Sequence, residues 1–388
     1  MEAGIIDLGD IMKEIEHRSV IIIGAGPGGS SAAKRLAEQG IDVLVLERRE
    51  IIGNPAQCGE CIPNWGEVTG TFSGIEDDEW LEDLFDFPER LRSHRLDNMR
   101  VFLPSGKFYS FDLDAFGGHR LQFDGYLADL AAEAGAEIRI GQALKNIISK
   151  KDGTDLLVTD KGRYSADYII DASGALAHVS RLKYKDSKRY RPREQIPTIY
   201  AQVQGPIPES FDVFIGKVAP SGYAWIIPKG EIANVGLGVR AGKLQGDLKP
   251  HLQRFCDEMG FEILSWGGGW IPMSGPVDKM VEGNILSIGD AAGLVMPSNG
   301  GGISQAMISG KFAADAIIKN IESGIPLELY QKRVMASMGR PLRNSKRAKW
   351  LAYTFLRNDW LSEIMMRILG PIGGIRRAMS CDRTLWLF

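Results

Sequence analysis

The arrangement of hydrophobic positions is most regular near the start of the chain. Residues 20–23 form an uninterrupted apolar run, which predicts a strand buried on both faces. A glycine-rich turn follows, and then a helix with the small residues Ala32 and Ala33 on its inner face. A second apolar run at residues 42–46 predicts the next strand. Strand, turn, helix and strand in this order predict a βαβ unit of a parallel sheet.

The later pattern returns to this unit in separate pieces. Residues 100–113, RVFLPSGKFYSFDL, predict two strands joined by a turn, and residues 119–141 predict a helix followed by a strand. Residues 190–275 are rich in strand-forming and aromatic side chains. Residues 283–317 then predict a strand, an acid at its end, a glycine loop and a helix. The chain is therefore expected to interleave two structural units.

The turn between the first strand and helix matches G-x-G-x-x-G. Gly24, Gly26, Gly28 and Gly29 let the backbone approach a pyrophosphate at the helix N-terminus, where free N–H groups and the helix dipole favour negative charge. The second strand ends in Glu47, the position that accepts hydrogen bonds from an adenosine ribose. A glycine fingerprint alone is weak, but strand, glycines, helix, strand and acid arrive in order. We therefore predict a dinucleotide site.

The late segment favours FAD over a nicotinamide cofactor. An NAD-binding domain normally finishes in continuous βα units, whereas here the strand ending at Asp290 follows two interruptions. We expect Asp290 to reach the ribityl chain, and the loop 300–302 with the next helix N-terminus to face the flavin N1/O2 edge. The predicted fold is α/β, of the glutathione-reductase type that para-hydroxybenzoate hydroxylase resembles, with an α+β substrate domain. The predicted units are a discontinuous FAD-binding domain (19–65, 119–180 and 276–322), a β-rich substrate domain (66–118 and 181–275) and a basic helical C-terminal region (323–388).

The amino-acid composition indicates a cellular compartment and shows an uneven distribution of charge along the chain. Hydrophobic residues make up 44% and charged residues 24% of the 388, as in ordinary globular proteins. No apolar run reaches the ~20 residues of a membrane span, and the first nineteen residues read as an acidic, amphipathic lead-in rather than a signal peptide. Four cysteines suggest a reducing compartment, so we expect a cytoplasmic protein. Residues 331–388 carry twelve Lys/Arg and three Asp/Glu, a net +9, so the preceding chain carries −12.

Two cysteines lie close together in QCGECIPN. The spacing of Cys58 and Cys61 is that of a zinc half-site, a thioredoxin-like redox pair, or two thiols in a loop. A zinc site needs about four ligands, and Cys256, Cys381 and the five histidines are scattered, so we predict no metal. An iron–sulfur cluster fails for the same reason. Two interpretations of the Cys58 and Cys61 thiols remain, a reversible disulfide between them and plain packing without a chemical role.

Five stretches together resemble the geranylgeranyl reductase family, especially its archaeal members that act on digeranylgeranylglycerophospholipids. They are GAGPGG with its later acid, CGEC, HRLQFD, PSGYAWIIPKGEIANVGLG and GDAAGLVMPSNGGGI, and they span residues 19–320. The fourth stretch is the most specific to the family, and it meets the family pattern at Pro220, Tyr223, Trp225, Pro228, Val235 and Gly236. Ile227 stands where the family usually has phenylalanine, which bears on the length or shape of the substrate rather than on its class.

The resemblance implies a set of FAD contacts. Taken position by position, they fall on Gly28, Glu47, Cys58, Gly59, Cys61, Arg120, Asp290, Gly302 and Ile303. Leu144 would offer backbone groups to the adenine. Relatives commonly have a cysteine followed by glycine, which Cys58 matches, whereas Cys61 replaces a small residue. We therefore expect the loop to lie along the isoalloxazine ring with the Cys58 thiol beside it.

The resemblance also implies the reaction, which is saturation of C=C bonds in geranylgeranyl chains of archaeal-type ether phospholipids during membrane lipid biosynthesis. An isolated alkene is a poor hydride acceptor, so the reaction needs a positioned acid and a dry apolar tunnel beside the flavin. We expect Tyr223 and Trp225 to line that tunnel, and Cys58, Tyr223 or a bound water to be the acid. Since no second nucleotide fingerprint is present, the electron donor would be ferredoxin or free NAD(P)H.

Three other functions share some of these features. A flavin-dependent monooxygenase or halogenase has the same fold, and YAWIIP resembles the halogenase pattern W-x-W-x-I-P with Tyr223 at the first tryptophan. A quinone-linked electron-transfer flavoprotein is weakened by the missing cluster cysteines. A non-catalytic lipid carrier would keep FAD as a structural group. Alkene-dependent reoxidation of the reduced flavin separates these alternatives.

The C-terminal region suggests how a lipid substrate is reached. Residues 339–360 intermix cations with aromatic and apolar side chains, namely Arg340, Arg343, Lys346, Arg347 and Lys349 with Trp350, Tyr353, Phe355 and Leu356. This mixture suits an anionic membrane surface, and a solvated basic helix packed on the acidic body is the alternative. We expect peripheral membrane association and no nucleic-acid partner.

Overall fold

A computed structural model describes residues 15–75, 79–150, 153–185, 187–240, 247–356, 358–371 and 373–381. Most of the expected N-terminal lead-in, residues 1–14, and the end of the predicted C-terminal region, residues 382–388, lie outside the described residues. The described chain is built on two eight-stranded sheets with helices packed against them. The prediction of a mixed α/β fold is therefore confirmed.

The first sheet contains the predicted βαβ unit. Numbered in chain order, its strands are β1 (Ile15–Ile23), β2 (Val43–Leu46), β6 (Glu137–Arg139), β7 (Leu144–Ser149), β8 (Asp155–Thr159), β9 (Arg163–Asp171), β15 (Val281–Glu282) and β16 (Ile285–Ser287). Five of them run parallel in the order β16-β9-β1-β2-β6. Strand β15 pairs antiparallel at one edge, and the hairpin β7-β8 extends from β9. The separate segments of the sequence thus meet in one sheet.

The centre of this sheet is β1, whose apolar run explains its position. Residues 20–22 are fully buried between β2 and β9, as expected for a parallel strand that is covered on both faces. The helices of the molecule are α1 (Pro27–Ala37), α2 (Trp65–Thr71), α3 (Arg120–Glu133), α4 (His178–Lys183), α5 (Lys249–Glu258), α6 (Ile303–Ser323), α7 (Glu328–Phe355), α8 (Asp359–Leu369) and α9 (Gly374–Ser380). Helix α1 packs against α3 and α6. A Cβ at Gly310 would lie 2.2 Å from the Gly28 carbonyl, so α1 and α6 meet backbone to backbone.

The second sheet is mostly antiparallel. Its strands are β3 (Cys61–Pro63), β4 (His94–Phe102), β5 (Phe108–Gly117), β10 (Gln195–Gln204), β11 (Phe211–Phe214), β12 (Tyr223–Lys229), β13 (Ile232–Gly238) and β14 (Glu262–Pro272). The order is β14-β10-β13-β12-β11-β4-β5-β3, and among these described strands only β4 and β11 pair in parallel. The strand–turn–strand prediction at residues 100–113 is confirmed by β4 and β5, which begin earlier and end later than that stretch.

Strand β12 separates the two faces of the second sheet. Ala224 and Ile226 pack with α5 on one face, whereas Tyr223 and Trp225 point to the other, as the two-residue period of a strand requires. A Cβ at Gly236, opposite on β13, would lie 2.3 Å from the Trp225 ring. The glycine of the family pattern therefore makes room for the indole.

The C-terminal helices cover the second sheet on the Trp225 side. Leu356 directly after α7, Met366 of α8 and Ile375 of α9 pack with Val101 and Val213 of β4 and β11. The first half of α7 instead packs in the core of the first sheet. In the part of the chain that the structure describes, no helix is both long enough and apolar enough to cross a membrane.

Candidate flavin and substrate site

The glycine-rich turn lies where β1 meets α1, and its glycines have different surroundings. Gly24 has a φ of +111°, and a side chain there would meet backbone 2.4 Å away. A Cβ on Gly29 would lie 1.9 Å from the Gly24 carbonyl, and one on Gly28 would lie 2.9 Å from backbone of α6. Gly26 has open space at its Cβ position. Close packing thus explains three of the glycines, and the open side of the turn lies at Gly26, where a pyrophosphate could approach the N-terminus of α1.

Glu47 follows β2 and is held beside this turn. Its side chain is buried, with 6% of the residue exposed. Oε2 accepts a hydrogen bond from the Ala25 N–H at 2.9 Å, and Oε1 accepts one from the Arg49 N–H at 2.9 Å. Each carboxylate oxygen can accept a further hydrogen bond. The arrangement fits the predicted role at a ribose, with the carboxylate already oriented by the backbone.

The late strand brings Asp290 to the same edge of the sheet. Strand β16 runs parallel to β9 and ends just before Asp290, next to the loop 300–302 that leads into α6. Burial raises the pKa of Asp290 to about 6, although the charge of Arg120 acts in the opposite direction. No hydrogen bond to this carboxylate is found among the described residues. A carboxylate acceptor without a donor fits the hydroxyl groups of a ribityl chain, and the N–H groups at the N-terminus of α6 fit the N1/O2 edge of a flavin.

The CGEC loop lies between these elements and α3. The Cys58 sulfur accepts a hydrogen bond from the Glu60 N–H at 3.2 Å, and the Arg120 guanidinium also donates to it. Burial raises the pKa of the Cys61 thiol above its ordinary range. Both cysteines are free in the structure. Arg120, which also forms a two-point ion pair with Asp124, thus contacts the Cys58 sulfur, and the structure distinguishes the two cysteines.

A buried ion pair fixes this loop, and the sequence analysis missed it. The Glu60 carboxylate accepts hydrogen bonds from Lys229 Nζ at 2.5 Å, Gln202 Nε2 at 2.7 Å, Asn234 Nδ2 at 3.1 Å and the Arg120 N–H at 3.0 Å. The side chains of Glu60 and Lys229 are only 3% and 1% exposed. Burial alone would raise the pKa of Glu60, but Lys229 and the other donors outweigh burial and lower it. The charged pair therefore sits at the centre of a polar network.

The network ties the loop to the second sheet. Asn234 Nδ2 also donates to the Cys58 carbonyl at 3.1 Å, and Asn234 Oδ1 accepts the indole N–H of Trp225 at 2.8 Å. The single N–H of Trp225 is thus engaged by Asn234, and the residue lines the cavities described next. A lysine at the end of the otherwise apolar β12 was the available signal for the network.

Two cavities meet on the sheet face that carries Tyr223 and Trp225. The flavin-side cavity, about 220 Å³, lies between the CGEC loop, the sheet, the loop 299–302 and the N-terminus of α6. The helix-side cavity, about 150 Å³, lies between the sheet and helices α7 to α9. Tyr223, Trp225 and Ile271 line both cavities. The two cavities are therefore neighbours across these three side chains.

Tyr223 is held in place at this junction. Its hydroxyl donates a hydrogen bond to the Asn299 carbonyl at 2.5 Å, just before the loop that leads into α6. Burial raises the pKa of this hydroxyl above its ordinary range. The hydroxyl proton is therefore engaged by the protein, which makes Tyr223 a poorer acid than a free phenol.

The predicted site residues divide between two ends of one groove. The flavin-side cavity brings together Cys58, Gly59, Cys61, Tyr223, Trp225, Gly302 and Ile303. The four glycines of the turn, Glu47 and Leu144 lie at the other, nucleotide end. The Leu144 carbonyl accepts a hydrogen bond from His178 at 2.8 Å, so this oxygen is already engaged in the structure. No group of three or more potential metal ligands occurs within the described ranges.

The basic residues of α7 do not all face solvent, and the sequence analysis was wrong about one. Lys349 is buried, and its ammonium donates to Glu194 Oε2 at 2.6 Å and to the Met273 carbonyl. The remaining cations of the predicted cluster are exposed and form what we call the basic face of α7, which comprises Arg340, Arg343, Lys346 and Arg347. Tyr353 lines the helix-side cavity instead of facing outward.

Two family models match parts of the chain. A model described as "Geranylgeranyl reductase catalytic domain" matches residues 199–269, and one described as "NAD(P)-binding Rossmann-like domain" matches residues 22–86. The first range covers β10 to β14, and the second covers the glycine turn, Glu47 and the CGEC loop. The two matches thus fall on the sheet with the aromatic face and on the nucleotide end of the groove.

Similar proteins are known as sequences and as solved structures. The digeranylgeranylglycerophospholipid reductase of Methanosarcina acetivorans is 32% identical over 85% of this chain and 83% of its own length. A geranylgeranyl bacteriochlorophyll reductase-like protein from Thermoplasma acidophilum has a TM-score of 0.79 at 24% identity, covering 96% of this chain and 98% of that one. A triple mutant of the flavin-dependent brominase Bmp2 has a TM-score of 0.69 at 17% identity, with 94% of each chain covered. The predicted flavoprotein fold is confirmed, and the chain belongs to the geranylgeranyl reductase family.

Proposed function

We propose that the protein is an FAD-dependent reductase that saturates C=C bonds in the geranylgeranyl chains of archaeal-type ether phospholipids. The main support is the apolar helix-side cavity, which adjoins the flavin-side cavity at Tyr223, Trp225 and Ile271. An extended isoprenoid chain needs such a space, and its double bonds must reach the flavin edge. The names of the curated relatives point to the same substrate class.

The residues at both ends of the groove would hold FAD. The open side of the turn at Gly26 suits the pyrophosphate, Glu47 the ribose, and Asp290 the ribityl hydroxyls. When bound, FAD supplies the reducing equivalents for the alkene. The N-terminus of α6 would favour negative charge at the adjoining cofactor edge.

Cys58 is the side chain best placed to deliver a proton. Its thiol lines the flavin-side cavity, and Arg120 would stabilise the thiolate that is left after the proton has moved. The hydroxyl of Tyr223 is engaged by Asn299, and the indole N–H of Trp225 by Asn234. The apolar walls of the two cavities would exclude water from the reacting carbons.

The electron donor would be a separate molecule, either ferredoxin or NAD(P)H. The match to an NAD(P)-binding domain covers residues 22–86, the same stretch that is assigned here to the nucleotide half of FAD. It therefore supports one nucleotide site and not two.

We further propose that the C-terminal helices dock on an anionic membrane surface. Helix α8 exposes Trp360, Ile364 and Ile368, four residues apart, with 69%, 40% and 63% of each residue accessible. On its other side Met365 and Met366 line the helix-side cavity. Together with the basic face of α7, this apolar stripe suits a surface of negatively charged lipids. A lipid leaving the membrane at α8 would be next to the cavity.

The decisive experiment is anaerobic reoxidation of the reduced flavin. Photoreduced protein is mixed with a digeranylgeranylglycerophospholipid in detergent, and flavin absorbance and product mass are followed. We expect the flavin to reoxidise and the lipid to gain two hydrogens per double bond, whereas the fully saturated lipid leaves the flavin reduced. No reoxidation by the unsaturated lipid would refute the proposal. Lipid turnover that requires oxygen would instead favour a monooxygenase or halogenase, the classes suggested by the fold shared with the brominase.

A further inference from the structure

The helix-side cavity carries surplus positive charge at one end. Among the described residues, Arg240 and Lys349 are the two cations that line it, and no carboxylate side chain does. Lys349 is paired with Glu194, so these two charges cancel. Arg240 is exposed, and no ion pair to it is found in the described part of the chain. One cation is thus left to meet an anion from outside.

A tyrosine beside Arg240 has an unused hydroxyl. The Tyr353 ring lies with its centroid 4.8 Å from the Arg240 guanidinium carbon and 5.4 Å from Lys349 Nζ. Its hydroxyl oxygen is buried and has no hydrogen-bond partner among the described residues. Buried polar groups are almost always hydrogen-bonded, so a lone hydroxyl in a cavity wall calls for an acceptor that a ligand would bring.

The flavin-side cavity has the opposite character. In the part of the chain that the structure describes, its charged lining residues are Glu60, Glu67, Asp112 and Arg376, and Glu60 is paired with Lys229. Besides this ion pair, the lining contains two acids, Glu67 and Asp112, and one arginine, Arg376. Away from the N-terminus of α6, where the cofactor edge is expected, these acids would disfavour an anionic head group but not the neutral chain of an isoprenoid. The charges lining the two cavities therefore favour one orientation of a lipid, with its anionic head group at the helix-side cavity and its neutral chain toward the flavin-side cavity.

We propose that Arg240 and Tyr353 form the head-group site for an anionic isoprenoid lipid, with a phosphate on the guanidinium and the chain extending through the helix-side cavity past Tyr223 and Trp225. A guanidinium binds phosphate through two parallel hydrogen bonds. The Tyr353 hydroxyl and the remaining N–H of Lys349 would donate to further oxygens of the head group. This inference rests on the proposed function, because it takes the substrate to be an isoprenoid lipid.

The test compares binding of two lipids to the FAD-loaded protein. Digeranylgeranylglycerophosphate and digeranylgeranylglycerol share their chains and differ only in the phosphate. We expect wild type to bind the phosphorylated lipid more tightly by roughly 10- to 100-fold, the contribution of hydrogen bonds to a charged group. Arg240→Ala should bring that ratio close to one and leave the affinity for the neutral lipid unchanged. Arg240→Lys should retain part of the preference for the phosphorylated lipid.

Further variants locate the effect. Tyr353→Phe should weaken only the phosphorylated lipid, by roughly 10-fold, the lower end of the range for a hydrogen bond to a charged group. Arg254→Ala, which removes an exposed arginine of α5 away from the cavity, is the matched control and should change nothing. An unchanged ratio in Arg240→Ala would overturn the proposal. So would loss of the ratio in Arg376→Ala, because that would place the head group at the flavin-side cavity.

Inorganic phosphate distinguishes a head-group site from a free-phosphate site. Phosphate alone should compete only weakly with the phosphorylated lipid, since it brings no chain. Competition as strong as that of the lipid would assign the site to free phosphate and overturn the head-group reading. Binding is measured with radiolabelled lipid and without turnover. A wild-type protein that binds as expected but reduces no alkene would therefore refute the proposed function alone.

Discussion

Asp290 should destabilise the cofactor-free protein at neutral pH. Burial raises its pKa from the ordinary 3.8 to about 6 in the folded state. A difference of about two pKa units corresponds to ~3 kcal/mol of unfolding free energy. Because the folded-state pKa is the higher one, the folded protein holds the proton more tightly than the unfolded chain does. Its stability therefore falls as pH rises from about 4 to about 6, and the loss is complete above about 7.

Replacing Asp290 with asparagine should remove this loss, because the amide has the same shape and no charge. The measurement is urea unfolding of cofactor-free wild type and Asp290→Asn across pH 4 to 8. We expect the stability advantage of the variant to grow with pH and to level off at about 3 kcal/mol. The same variant should retain FAD less well, since the amide accepts hydrogen bonds from ribityl hydroxyls more weakly than a carboxylate does.

The control is Asp129→Asn, an exposed acid on α3. Its difference from wild type should not depend on pH in this range. Two results would refute the reasoning about Asp290, namely a stability difference that is constant between pH 4 and 8, or no gain at pH 8. If the variant gains stability and keeps FAD as well as wild type does, the pKa argument holds and the assignment to the ribityl chain is wrong.

Three further predictions concern the cofactor, the cysteines and the membrane. Glu47→Ala removes charge-assisted hydrogen bonds and should weaken FAD binding roughly 10- to over 100-fold by equilibrium dialysis, and unchanged FAD content would contradict the ribose assignment. Cys58→Ser should keep FAD but slow alkene-dependent reoxidation in stopped-flow traces, while Cys61→Ser should change that rate little. An equally large loss of rate in both variants would indicate a redox pair, and no loss of rate in either would favour plain packing. Each cation of the basic face of α7 contributes at most about 1 kcal/mol to binding an anionic surface, so all of them are changed to Glu together. This variant should lose salt-sensitive binding to anionic vesicles at unchanged FAD content, and wild-type binding that does not depend on salt would exclude docking by charge.

The nucleotide end of the groove could be predicted because its signals are local. The apolar run of β1, the glycine turn and Glu47 lie within thirty residues of one another, and each has a backbone or packing requirement that few residue types meet. The alternation of β12 is equally local, since it places Tyr223 and Trp225 on one face whatever the partner strands are. The boundaries assigned to the domains stay a prediction.

Other features depend on partners far away in the sequence. Glu60 and Lys229 are 169 positions apart, and nothing near either residue says that the two meet. The same holds for the approach of Arg120 to Cys58. The burial of Lys349, by contrast, could have been found. Helical spacing places it with the buried Leu342 and Ser345, on the side of α7 opposite the basic face.

The late position of β16 has a consequence for how the protein is made. Strand β9 cannot gain its neighbour β16 until the ribosome has passed residue 287, after all the described strands of the second sheet have been synthesised. Until then Asp290 and the N-terminus of α6 do not exist, so the groove has only its nucleotide half. Sheet closure then joins segments more than a hundred residues apart, a topology that folds slowly and leaves an open strand edge exposed in the meantime. The flavin half of the groove therefore becomes available only after the nucleotide half and the second sheet have been synthesised, and cofactor insertion follows both.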